Sequence, residues 1–209
     1  MAILSALRLL VDTDVFCKLG VSGLLPEAAD LFAADLARCG RLPALPHMLR
    51  RGRLRKVYGP EACDSLAVIA NTMPVAPAAS DEWLDKLVPI RDIDAGEAQL
   101  FAASAEAGLF VLSGDKRALR ALKGIKGFPE ALAGRIVLLE AILLALSDRH
   151  GSELVRQRVA ASRESDKMVE TCFSEENDNP GAGLLSYYLS AVTDLAPLTL
   201  WNPRPVSPP

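Results

Sequence analysis

Leu9-Leu10-Val11-Asp12-Thr13-Asp14-Val15-Phe16 is the stretch on which the reading of this chain turns. Its apolar run reads as a buried strand, and the run ends in two carboxylates separated by Thr13. In a parallel sheet, ligands and metal ions gather at the carboxyl ends of the strands, in the crevice where the strand order reverses. A first strand ending in acid marks that edge as a candidate active site, provided other acids arrive there. The plainer reading is that Asp12 or Asp14 caps the helix that follows, because Asp accepts well from the free N–H groups of a first turn. From these residues alone, both readings stand.

Outward from it, Ala6 to Val11 is predicted as the first strand. A helix is expected after Pro26, with Ala28, Leu31, Phe32, Ala34 and Leu36 at helical spacing and a stop at Cys39-Gly40. Leu42 to Leu45 is expected as a short second strand. Pro46 opens a basic helix ending near Gly52, and another helix runs from Pro60 through Ile69. Met73 to Ser80 reads as a loop, Ser80-Asp81-Glu82-Trp83 as a cap and first turn, and Leu87 to Ile90 as a strand weakened by Pro89.

The most informative region follows. Asp94-Ala95-Gly96-Glu97 leads into a helix over 98–107, and Gly108 stops it. Leu109-Phe110-Val111-Leu112 is an apolar strand, and Ser113-Gly114-Asp115 comes directly after it, then a basic helix from Lys116. Arg135 to Leu139 is the last predicted strand, passing into a helix through Leu146. Strands alternating with helices of these lengths predict an α/β fold, a central parallel sheet with helices on both faces. Beyond His150 the pattern is amphipathic and helical over 152–172 and again over 184–195, and the tail from Pro197 carries five prolines. The expected organisation is an α/β domain over 1–148, a helical extension over 149–196, and a proline-rich tail over 197–209 lying extended on the surface or disordered.

A chain of 209 residues makes one domain, or one with a small appendage. A net charge of -3 argues against coating nucleic acid by bulk charge but leaves local basic surfaces open. Arg50, Arg51, Arg53, Arg55 and Lys56 form one cluster; Lys116, Arg117, Arg120, Lys123 and Lys126 form another. Each cluster by itself reads as a solvated helix face. The four cysteines lie far apart with no C-x-x-C pair, neither a zinc signature nor a disulfide framework. No secretory leader pattern is found, and the apolar stretch around Ile136 to Leu146 is broken by Glu140 and too short to span a bilayer. A soluble, cytoplasmic protein with no membrane partner is the expectation.

Acids therefore arrive at three strand or helix junctions: Asp12 and Asp14, Asp94 and Glu97, and Asp115. Carboxylates gathered in one crevice repel one another, and a divalent metal is the usual resolution. Mg²⁺ and Mn²⁺ take oxygen ligands and keep several waters, and such ions activate water against a phosphodiester. Capping explains any one of these acids better than it explains all of them.

In their order and spacing, Asp12-Thr13-Asp14, Asp94-Ala95-Gly96-Glu97-Ala98 and Ser113-Gly114-Asp115-Lys116 resemble the PIN-domain family, over roughly residues 7–140. The resemblance implies a three-layer α/β/α domain and a metal-dependent ribonuclease. It also brings in the toxin halves of toxin–antitoxin pairs, and homodimers. Carried over, it makes Asp12, Glu97 and Asp115 the catalytic ligands of Mg²⁺ or Mn²⁺, with Asp94 and Asp14 as further ligands or support. Ser113 would orient Asp115 or a phosphate, and Lys116 and Arg117 would contact the RNA backbone. Expected partners are RNA, an antitoxin or other protein, and a second copy of the chain. The family commonly places a Glu early in the helix after the second strand, where this chain has Pro46-His47-Met48-Leu49-Arg50.

That missing acid supports an alternative, a PIN-like interaction module without activity. A haloacid dehalogenase-like phosphatase is the other enzyme reading, with Asp12 as nucleophile, Asp14 as acid/base, and Ser113 and Lys123 as further motifs. It lacks a later acidic pair and leaves Asp94 and Glu97 without a role. His47 and His150 lie near no Ser or Cys nucleophile pattern, and no G-x-x-x-x-G-K loop is present.

Overall fold

Residues 7–204 are described by the computed structural model. Four parallel strands pair in the order β2-β1-β3-β4. They are β1 (Leu9–Val11), β2 (Cys39–Arg41), β3 (Phe110–Leu112) and β4 (Ile136–Val137). Leu9 aligns with Cys39 on one side and with Phe110 on the other, and Val111 aligns with Ile136. The chain steps outward from β1 to β2 and then returns to lay β3 on the opposite side of β1. The strand order therefore reverses between β1 and β3, where an open parallel sheet parts its loops into a crevice.

Helices fill the connections. Between β1 and β2 run α1 (Thr13–Val21) and α2 (Leu25–Asp30). Between β2 and β3 come α3 (Leu45–Arg50), α4 (Arg53–Tyr58), α5 (Pro60–Thr72), α6 (Asp81–Leu87) and α7 (Ala95–Ala107). Then α8 (Lys116–Leu122) and α9 (Phe128–Ala131) precede β4, and α10 (Leu139–His150), α11 (Ser152–Val159), α12 (Lys167–Cys172) and α13 (Pro180–Leu195) follow it. Successive strand side chains point to opposite faces. Leu9, Val11, Leu112 and Val137 accordingly enter one buried cluster with α1, α3, α5 and α10, while Leu10, Val111 and Ile136 enter another with α7, α8 and α9. Helices cover both faces, as the α/β expectation requires.

The C-terminal helices complete these cores. Val155, Val159, Val169, Cys172, Phe173 and Leu184 join the first cluster, and Tyr188, Ala191 and Leu195 join the second. In the stretch expected as a surface tail, Leu198 and Leu200 are buried. Leu200 pairs in parallel with Ile136, and Trp201 N–H donates to Ile136 O at 2.8 Å. This backbone pairing needs no particular side chains, so a proline-rich composition hid it. The expected strand start at Ala6 and the tail end over 205–209 lie outside the described residues.

Three local expectations change. The helix expected through Leu36 ends at Asp30, and β2 falls at Cys39–Arg41 instead of 42–45. Gly40 is the reason. A Cβ there would meet Leu10 Cδ2 at 2.7 Å and the Ala76 backbone at 3.4 Å, so the glycine permits close strand packing and does not stop a helix. Leu87 to Ile90 forms no strand; Leu87 is the buried last residue of α6 and turns follow it. The predicted strand 135–139 shortens to Ile136–Val137 because Leu139 already opens α10.

Candidate active site

Four of the five acids, all but Asp14, turn out to serve helix caps. Asp12 Oδ1 accepts from Thr13 N–H at 2.7 Å at the start of α1. Asp115 Oδ1 accepts from Arg117 N–H at 2.8 Å and Ala118 N–H at 3.1 Å at the start of α8. Asp94 and Glu97 form a reciprocal capping box on α7: Asp94 Oδ1 accepts from Glu97 N–H and Glu97 Oε2 from Asp94 N–H, both at 2.8 Å. Among the described residues, no hydrogen bond reaches Asp94 Oδ2 or Glu97 Oε1. Capping and site formation are therefore compatible, because the capping box uses one oxygen of Asp94 and one of Glu97 and leaves the other without a hydrogen bond.

The β1 and β3 ends abut. Asp12 N–H donates to Leu112 O at 3.0 Å, and a Cβ added at Gly114 would lie 3.4 Å from Asp14 Oδ2. The resulting open cleft, of about 920 Å³, is lined on this side by Asp12, Asp14, Asp94, Glu97 and Asp115. Glu97 is 7% exposed. Burial, joined by the like charges of Asp94, Asp115 and Asp12, pushes its carboxyl up to about 7 against the hydrogen bond from Asp94 N–H. Burial likewise pushes Asp12 up to about 6, aided by Asp14 and Asp94 and opposed by the Thr13 N–H bond. Asp12 and Glu97 thus both carry the mark of burial beside other carboxylates.

Not every residue expected here arrives. Ser113 is 1% exposed with its hydroxyl unpartnered, outside the cleft lining and with no bond to Asp115. The Lys116 side chain lines the cleft, but its ammonium lies 2.7 Å from the buried Glu140 carboxylate, in the first turn of α10. Arg117 is outside the lining, 3.3 Å from Asp115 Oδ2. Asp14 is held by Lys18, whose ammonium bridges Asp14 and Asp166 at 2.6 Å each. The phosphatase set is not assembled, because Ser113 is sequestered and Lys123 donates to the Asp194 carbonyl at 2.6 Å.

One part of the lining was not anticipated. Met48, Arg51, Arg53, Leu54, Val57 and Tyr58, from the end of α3 and from α4, line the same cleft as the acids. Ser165 also lines the cleft, and its hydroxyl donates to the Ser162 carbonyl at 2.7 Å. The basic cluster was visible in the sequence, but nothing local said that its arginines cross to the acidic edge. Lys18, which follows Asp14 by four residues, carried a helical ion-pair signal; its second partner, Asp166, did not.

Mg²⁺ and Mn²⁺ suit this donor set, which offers only carboxylate oxygens in a charge-crowded crevice. Among the described residues, no group of three or more His, Cys, Asp or Glu stands close enough to hold an ion directly. Mg²⁺ commonly binds through one or two carboxylates and keeps its waters, so such a set fits an ion whose remaining protein contacts run through water. No described helix is long and apolar enough to cross a membrane. No protein-family model matches the chain, and neither a curated protein nor a solved structure matches it.

Proposed function

We propose that this chain is a PIN-like, Mg²⁺- or Mn²⁺-dependent ribonuclease. The observation that carries the proposal is the convergence of Asp12, Asp94, Glu97 and Asp115 on one cleft, where burial, aided by neighbouring carboxylates, pushes the carboxyls of Glu97 and Asp12 above the usual carboxylate range. Asp12, Glu97 and Asp115 would hold a hydrated ion, in part through its waters, with Asp94 and Asp14 supporting. The bound ion supplies charge neutralisation at the phosphodiester and a more acidic water. The protein's own part is orientation. The caps on α1, α7 and α8 fix the carboxylates before substrate arrives, so little reorganisation remains at the moment of reaction.

Asp12→Asn and Asp115→Asn test this cleanly, because Asn still caps a helix and only the charge is lost. Purified protein should cleave single-stranded RNA with Mg²⁺ or Mn²⁺ and not with EDTA, and either substitution should abolish cleavage. Metal-dependent cleavage that survives both substitutions ends the proposal. The second reading is an interaction module on the same fold, favoured by the lack of a direct three-residue ion cage. A protein inert toward RNA under every ion condition, yet binding a protein partner through this cleft, supports that reading.

A further inference from the structure

We infer that Arg51 and Arg53 form the phosphate-binding wall of the cleft and hold the backbone of a single-stranded RNA across from the carboxylates. This deepens the ribonuclease reading and rests on it for the class of ligand. The sequence pointed to Lys116 and Arg117 for this role, but both are occupied, Lys116 by Glu140 and Arg117 by Asp115. Arg55, in the same basic segment, is paired with Asp64. Arg51 and Arg53 line the cleft and are exposed, and among the described residues their guanidiniums meet no carboxylate, carbonyl or ring.

Their placement is built into the backbone. Gly52, between them, has φ 94° and ψ -148°, and Gly59 at the other end of α4 has φ 82° and ψ 160°. Both lie in a region essentially closed to residues with a Cβ. The short helix α4 therefore hangs between two glycine corners, and its basic start lines the cleft that the acids line. An acidic cleft alone repels a polyanion. Two unpaired guanidiniums in the same cleft supply the donors that bind phosphate oxygens in a planar fork. The neighbouring Met48, Leu54 and Val57 give an apolar surface against which bases can lie. A cleft of about 920 Å³ is of small-molecule size.

The test is binding of a fluorescently labelled single-stranded RNA by anisotropy over a salt series, in the Asp115→Asn background with Mg²⁺ so that the RNA stays intact. Arg51→Ala/Arg53→Ala is compared with Arg50→Ala/Lys56→Ala, which removes the same charge from positions outside the cleft lining. The cleft pair should lower the slope of log affinity against log salt by about 1.4, at ~0.7 per phosphate contact on a single strand, and weaken binding roughly 10-fold or more near 0.1 M salt. The outer pair should change affinity less than about 2-fold, and Arg51→Lys/Arg53→Lys should restore the slope. Equal losses from the two pairs, or an unchanged slope in the cleft pair, overturns the inference. Its failure is distinct from that of the ribonuclease reading. Protein that cleaves RNA but is indifferent to Arg51 and Arg53 refutes only this assignment, whereas protein that binds RNA through them yet never cleaves refutes only the activity.

Discussion

The two walls of the cleft are made in opposite ways. On the acidic side, Asp12, Asp94, Glu97 and Asp115 are each fixed by backbone N–H groups within three residues of themselves, and burial with like charge raises Asp12 and Glu97. On the α4 side, Arg51 and Arg53 meet no side-chain partner among the described residues, and glycine corners bound α4 at both ends. One wall is a product of local helix-start chemistry repeated at strand ends. The other is a product of where a short, poorly buried helix happens to be led by the fold. The first kind of wall is preorganised and electrostatically costly, and the second is cheap to build and free to meet a ligand.

That contrast also explains what was legible in the sequence. Asp12 and Asp115 could be found because an apolar strand, a capping acid and a helix follow one another within a few residues, and Asp94 and Glu97 because a capping box opens a helix; both local orders survive folding unchanged. The parallel α/β sheet was legible for the same reason. The placement of β2 was not, because Gly40 serves packing against Leu10 and Ala76, which lie far from it in the chain. Arg51, Arg53 and the Lys116–Glu140 contact were equally hidden, since each depends on two segments meeting. Glu140 had shown itself only as the residue that breaks an apolar run.

The sharpest way to break the comparison is to separate capping from charge on the acidic wall. Asp12→Asn and Asp12→Ser both keep a good N-cap and remove the carboxylate. Both should lower RNA cleavage by at least ~10²–10³-fold, the scale of losing one preorganised charge-stabilising group, while thermal melting moves by only a few degrees. Loss of the folded state in both variants, followed by circular dichroism, would show that Asp12 matters as a cap and not as a site residue.

A smaller effect is expected behind that wall. Lys18 has an 11% exposed side chain and neutralises Asp14 and Asp166 together, tying α1 to the start of α12. Lys18→Met keeps the apolar stem and leaves two carboxylates without their cation. Removing one partner of a buried pair costs more than the pair contributes. With Asp14 half exposed, a loss of about 2–3 kcal/mol is expected, or roughly 5–10 °C in melting temperature for a chain of this size. Asp166→Asn should cost less, since Asn retains the cap on α12. A melting point unchanged in Lys18→Met would mean that the C-terminal helices are held by their apolar contacts alone.

The smallest effect tests the crowding itself. Glu97 titrates near 7 in the fold against 4.5 for a free side chain, and Asp12 near 6 against 3.8. A raised carboxylate pKa means that the folded state binds the proton more tightly than the unfolded chain does. Stability from these groups is therefore fully present below about pH 4, and it is lost as pH rises toward 7. Glu97→Gln keeps an oxygen for the Asp94 N–H and removes the charge. Without divalent ions, it should melt close to wild type at pH 5 and higher at pH 8, by about 2 kcal/mol, or roughly 4–8 °C. Adding Mg²⁺ or Mn²⁺ at pH 8 should raise the wild-type melting point and narrow that gap, because a cation relieves in the wild type what the substitution removes. A gap that stays constant from pH 5 to pH 8 would show that Glu97 is not charged against its neighbours at all, and the acidic wall would then be a row of independent caps.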